Sequence, residues 1–288
     1  YFDLLNTVDP YLKFKHSYAR ESATVTEFFY VQAHDCDFGY SQQLVSGSSF
    51  QAWTNDGSFV SGQPWVPIAC DQWRTTLLAM NGATGHLAQF EFSMQTQGGQ
   101  NFYLDDVQVF GGSRLNLRTL LEGPYDAQAQ LMRDDLRLAG LVPLLEPFTA
   151  MGYAFKGEGG GETMAAPVLL VSGNDAIVDW VLVEIRDALV PATILTSRAA
   201  LLQRDGDIVD LDGTSLVRVG VPAGNYHIAV RHRNHLGCMT ASPVVVSPTM
   251  PLLDFSSTNT PTYGTEARKY SGGKELLWMG DVVWDRTL

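Results

Sequence analysis

A chain of 288 residues that is 45% apolar carries enough hydrophobic material for one large core or two of ordinary size. Its formal charge of −12 argues against a nucleic-acid partner, because a phosphate backbone needs clustered Lys and Arg to displace its counterions; the same charge suits a surface exposed to divalent cations. No run of about 20 apolar residues occurs, so no membrane insertion through a spanning helix is expected.

Charged residues make up only 17%, while 27 Gly and 13 Pro punctuate the chain, a mixture that favours short strands joined by turns. LKFKHSYA (12–19) alternates apolar and polar residues. TEFFYVQAH (26–34) is aromatic and β-prone, and LAQFEFSMQ (87–95) alternates again. Polar, Gly-rich loops such as VSGSSFQAWTNDGSFVSGQ separate these runs. The block closes with NFYLDDVQVF and Gly111-Gly112-Ser113, which reads as a domain boundary after residue 112.

A second block, 113–248, begins at RLNLRTLLEG. Within 126–148, Leu131, Asp135 and Leu138 share helical spacing, but Gly140 and Pro143 predict an early stop. AAPVLLVS (165–172), AIVDWVLVEIR (176–186), PATILTSRAALLQ (191–203), SLVRVGVP (215–222), NYHIAVRH (225–232) and ASPVVVSP (241–248) then read as strands. A hairpin is predicted at Arg204-Asp205-Gly206-Asp207, where Asp-Gly supplies the positive-φ turn. No helices recur at the intervals a parallel sheet would need. The expected fold class is all-β: two tandem β-sandwiches, jelly-roll-like then immunoglobulin-like, with an extended tail over 249–288 that returns a strand to the second domain.

H-E-x-x-H and G-x-S-x-G are both absent, and KGEGGGE (156–162) reads as a flexible loop because no Gly-Lys-Ser/Thr follows it. YHIAVRHRNHLGCMT (226–240) holds half of the histidines. On a strand, Tyr226, Ile228, Val230 and His232 share one face, and His227, Ala229 and Arg231 the other. Asn234 and Gly237 mark a turn with His235 inside it. A zinc site would need His232 and His235 to converge with His227 or Cys238, yet strand geometry separates His227 from His232, and Arg231 and Arg233 repel a dication. A structural role for His232 and His235, bonding loop carbonyls, is expected instead.

Calcium is the better metal candidate, as it takes six to eight oxygens from carboxylates and carbonyls of irregular loops. Asp105 and Asp106 lead, with Asp35 and Asp37 also offered; Asp205, Asp207, Asp210 and Asp212 decorate two turns, where Asp-Gly makes tight turns without any ion. Trp53, Trp65 and Tyr40 are candidates for a surface platform that stacks on a sugar. Cys36 and Cys70 share one block and are candidates for a structural pair, which only their separation decides.

Several words of the sequence occur in an order that resembles known modules. LKFKHSYAR, HDCDFG, QWRTTLLAMNG and QNFYLDDVQVF are similar to the jelly-roll module that follows the catalytic domain of secreted pappalysin-like metallopeptidases and adhesin-like proteins of the Bacteroidota. LEGPYD, LVPLLEPF, GNDAIVDWVLVEIRD, ALLQRDGDIVDLDG and AGNYHIAVRHRNHLGCMT resemble a non-catalytic β module of large exported proteins of that phylum. GGKELLWMGDVVWDRTL resembles the lead into dockerin-like calcium repeats, although Val283 and Arg286 break the loop pattern. The resemblance implies a fragment of a longer protein exported by type IX secretion, at the outer cell surface or in the medium. It implies no enzyme within these residues and a role in adhesion or surface assembly. Carbohydrate, a cell-surface protein and other domains of the same chain are the implied partners, and calcium the one implied cofactor. Accessory domains of a zinc metallopeptidase and a subunit of an extracellular filament are the alternatives.

Overall fold

The computed structural model describes residues 2–19, 28–35, 41–47, 64–80, 82–95 and 101–280. The chain divides into two compact units, Tyr1–Gly112 and Ser113–Leu288. The regular elements of both are almost all strands, and the all-β, sandwich-like class expected from the sequence holds.

The first unit contains β1 (Phe2–Asp3), β2 (Pro10–Ser17), β3 (Phe28–Asp35), β4 (Ser41–Gly47), β5 (Arg74–Ala79), β6 (Leu87–Gln95) and β7 (Tyr103–Gly111). They form a four-stranded sheet in the order β1-β6-β3-β4 and a three-stranded sheet in the order β5-β2-β7. Period-two alternation does the folding work. On β2, Leu12 and Phe14 point into the core while Lys13 and Lys15 stay half-exposed. They meet Phe29 and Val31 of β3, and Phe14 stands edge-on to Phe92 at 5.2 Å between ring centroids. Gly112 does not act as a loose spacer. Its amide bonds the Asp9 carbonyl at 2.8 Å, and a Cβ there would lie 2.5 Å from the Tyr11 ring.

The second unit contains β8 (Ser113–Leu115), β9 (Leu117–Arg118), β10 (Tyr125–Asp126), β11 (Leu131–Met132), helix α1 (Asp135–Leu138), β12 (Ile177–Arg186), β13 (Ile194–Gln203), β14 (Asp207–Val209), β15 (Val217–Val219), β16 (Gly224–His232), β17 (His235–Met239), β18 (Val244–Val246), β19 (Leu253–Asp254), β20 (Lys269–Ser271) and β21 (Lys274–Leu276). Its main sheet runs β17-β16-β12-β13-β14-β9-β19, with β18 also paired to β16. The tail returns as expected: β19 lies parallel to β9, Leu253 opposite Leu117.

All ten residues of β12 are buried. Val181, Val183 and Ile185 feed one hydrophobic cluster, while Trp180 and Leu182 feed another. A strand covered on both faces needs apolar side chains on both, which is why VDWVLVEI reads as a nearly continuous hydrophobic run.

Three local expectations meet the structure differently. The helix is one turn long, and Gly140, at φ +67°, ends it as the sequence predicts. AAPVLLVS is no strand: Ala166–Leu170 is a 3-10 turn, because Pro167 lacks the amide a ladder needs and fixes φ for a helical start. KGEGGGE is a loop, but a packed one. Ser197 donates its amide to the Lys156 carbonyl at 2.9 Å, and Glu158 and Glu162 accept amides from Gly220 and Ala199. A Cβ at Gly159 would lie 2.0 Å from the Ser197 carbonyl oxygen, so glycine there permits close approach to β13.

Candidate functional site: a buried carboxylate and histidine chain

Strands β16 and β17 form a hairpin whose closing pair is His232 opposite His235. The turn is therefore Arg233-Asn234, and Gly237 lies inside β17 rather than in the turn where the sequence placed it. Ile228 and Val230 join the larger apolar cluster, with Tyr226 packed against it, as the alternation predicts. The opposite face is covered as well, so His227, Ala229 and Arg231 are also buried.

Burying so many polar groups requires partners, and β12 supplies two carboxylates. A bulge between Ile177 and Asp179 re-aims Asp179, which is 1% exposed. Asp179 Oδ2 lies 3.1 Å from His232 Nε2 and accepts from Arg233 Nε at 2.9 Å, while Oδ1 accepts the Trp180 amide at 2.9 Å. Glu184, fully buried, accepts from Arg186 Nε at 2.8 Å and Nη2 at 2.6 Å, and from the Tyr153 hydroxyl at 2.9 Å. Arg231 Nε forms an ion pair with its Oε1 at 3.0 Å. Arg231 and Arg233 are thus committed to carboxylates and are not loose flanking charges.

The histidine tautomers follow from these contacts. His232 Nδ1 accepts the Asn234 amide at 3.1 Å, so it carries a lone pair, and its proton sits on Nε2, facing Asp179. His235 Nδ1 lies 2.9 Å from the same His232 Nδ1, and that contact requires a proton on His235 Nδ1. His235 Nε2 is then a bare lone pair, buried and without a hydrogen-bond partner among the described residues. Burial, with His232 beside it, lowers the His235 pKa to about 3. Burial pushes Asp179 up, but the hydrogen bond and charge of His232, and the charge of Arg233, hold it below the ordinary carboxylate value. Burial and the Glu184 carboxylate raise the Tyr153 phenol. His227 bonds the Thr240 carbonyl through Nδ1 at 3.0 Å. The loop-carbonyl role expected of His232 and His235 therefore falls to His227, while those two bond Asp179 and each other.

What the arrangement does chemically is fix ring orientation and clamp the hairpin to the central strand. Cys238, the third ligand considered for zinc, sits in the apolar cluster, where burial raises its thiol to about 12. Among the described residues no three His, Cys, Asp or Glu side chains converge as a metal site.

The other expected residues are scattered. Asp106, at φ +51°, pairs with Lys15 Nζ at 3.1 Å and accepts from Gln108, and Asp105 Oδ1 accepts the Asp106 amide. Asp35 ends β3, while Cys36, Asp37, Tyr40 and Trp53 lie outside the described residues. Cys70 is an exposed free thiol. Trp65 is 8% exposed and edge-on to Tyr103, whose hydroxyl bonds its carbonyl; its ring is packed inside and not displayed as a platform. Asp207 pairs with Arg118 and Asp210 with Arg198, while Asp205 and Asp212 accept turn amides. Asp179 and Glu184 were missed as partners. The available signal was two carboxylates in a strand whose neighbours are otherwise apolar, which demands buried cations or imidazoles somewhere in the chain.

No protein-family model matches this chain, and no curated protein matches it significantly.

Proposed function

We propose that the chain is a pair of non-catalytic β-sandwich modules from a secreted or cell-surface protein, acting in adhesion or surface assembly. The first unit serves recognition and the second is a rigid spacer or docking module. One observation carries the reading. Arg231, His232, Arg233 and His235 are spent on Asp179, Glu184 and one another, so the most reactive-looking stretch of the sequence works as a clamp. A hairpin stapled to a central strand by two buried carboxylates suits a module that must hold its shape while presenting loops at its ends. The resemblance of both blocks to modules of exported Bacteroidota proteins supports the same assignment. Fractionation of the source cells tests it, with antibody against this chain. Recovery from the outer surface or the medium is expected, and confinement to the cytosol refutes the proposal.

A further inference from the structure

The walls of one groove in the second unit are built from β17 and the loop 263–267. Its cavity of about 340 Å³ is lined by Leu236, Met239, Tyr263, Thr265, Glu266 and Trp278, among others. That volume lies at the small end of the range for small-molecule sites and suits one sugar ring. Both walls are fixed. The Tyr263 amide bonds the Met239 carbonyl at 2.8 Å, and the Leu236 amide bonds the Trp278 carbonyl at 2.9 Å. Arg268 ties the loop root by donating to the carbonyls of Ser257 and Thr260. Trp278 Nε1 donates to the Glu266 carbonyl at 2.8 Å, which locks the indole against the loop. Glu266 holds φ +52°, a left-handed conformation that costs a non-glycine residue energy and tends to occur where a loop is shaped for a task.

We infer that this groove binds a neutral carbohydrate, with a pyranose ring laid on Tyr263 or Trp278 and its hydroxyls bonded to Glu266 and Thr265. Aromatic faces carry partial negative charge, and the axial C–H edges of a pyranose are slightly positive, so the two stack. Tyr263 is 60% exposed and borders the groove, so its ring is open to a ligand. The side chains of Tyr263, Thr265 and Glu266 have no hydrogen-bond partner among the described residues, which leaves donors and acceptors for hydroxyls. Charge selects against anionic ligands. An anion meets the Glu266 carboxylate on a chain of net charge −12.

This inference rests on reading the chain as a binding module and goes beyond it, giving the second unit, read above as a spacer or docking module, a ligand of its own. The test is calorimetric titration of residues 1–288 with uncharged hexoses and N-acetylhexosamines, backed by saturation-transfer NMR. Saturable binding of at least one sugar is expected, with a dissociation constant on the order of 1 mM. Tyr263→Ala and Glu266→Gln should each weaken it about tenfold or more. Because Tyr263 is exposed, an unchanged unfolding midpoint shows that Tyr263→Ala still folds. Leu189→Ala, exposed in the second unit and away from the groove, should leave binding intact. Three results overturn the inference: no sugar binds, tetramethylammonium binds instead, or binding survives Tyr263→Ala. None of these bears on where the protein is found, which the fractionation decides separately.

Discussion

Replacing Asp179 by Ala gives the most direct measure of the clamp. The carboxylate is 1% exposed and serves the His232 ring, Arg233 Nε and the Trp180 amide. Removing one partner of a buried ion pair costs about 3–5 kcal/mol, because the other is left desolvated and unpaired. The Arg233 side chain is 23% exposed and can turn toward water, whereas His232 is 3% exposed and cannot, so the cost falls at the low end, about 3 kcal/mol. For a unit of this size that lowers the melting temperature by roughly 6–12 °C. Asp179→Asn keeps an acceptor for His232 and Arg233 but turns an NH2 toward the Trp180 amide, and should cost about 1–2 kcal/mol. Scanning calorimetry of the full chain reads the second unit's transition while the first serves as an internal standard. The reasoning fails if Asp179→Ala lies within about 1 kcal/mol of the parent, or if Asn is as damaging as Ala.

The remaining predictions concern titration, packing and thiol chemistry. His235 is held neutral down to about pH 3, whereas in the unfolded chain it protonates near 6.5. The unfolded state therefore binds more protons in that window, and the second unit's stability, fully present above pH 6.5, should fall by up to about 1.4 kcal/mol per pH unit on acidification. Urea melts at pH 7.5, 6 and 5 measure the slope, which His235→Phe should flatten. Gly159→Ala should destabilise the second unit by about 1–3 kcal/mol, because its Cβ collides with the Ser197 carbonyl oxygen on β13; Gly161→Ala, with open space around its Cβ, isolates the purely conformational cost of its positive φ. Brief alkylation of the native protein followed by peptide mass spectrometry should label exposed Cys70 and spare Cys238, whose buried thiol stays protonated. Labelling of Cys238 at the same rate would show that its cluster opens readily.

Much of this fold is legible in the amino-acid sequence because strand alternation and turn chemistry are local. LAQFEFSMQ predicts β6 to the residue, Asp-Gly marks the turn between β13 and β14, and Gly140 ends the helix, each through backbone preferences that act within a few residues. The histidine stretch is legible only as a strand with polar residues on it. That Asp179 and Glu184 answer it could not be read, since they lie about 50 residues away and reach it only when β12 pairs with β16 and a bulge rotates Asp179. Trp65, polar by its neighbours, is buried by contact with Tyr103. Tyr263, Glu266 and Trp278 stand in a tail of mixed polarity with no motif around them, and they form a groove only because β17 receives both segments. Period and turn are properties of adjacent bonds, and the sequence by itself determined them. Partner, burial and groove depend on which strands pair across long loops, where the free energy belongs to both segments together, and the tertiary structure alone decided those.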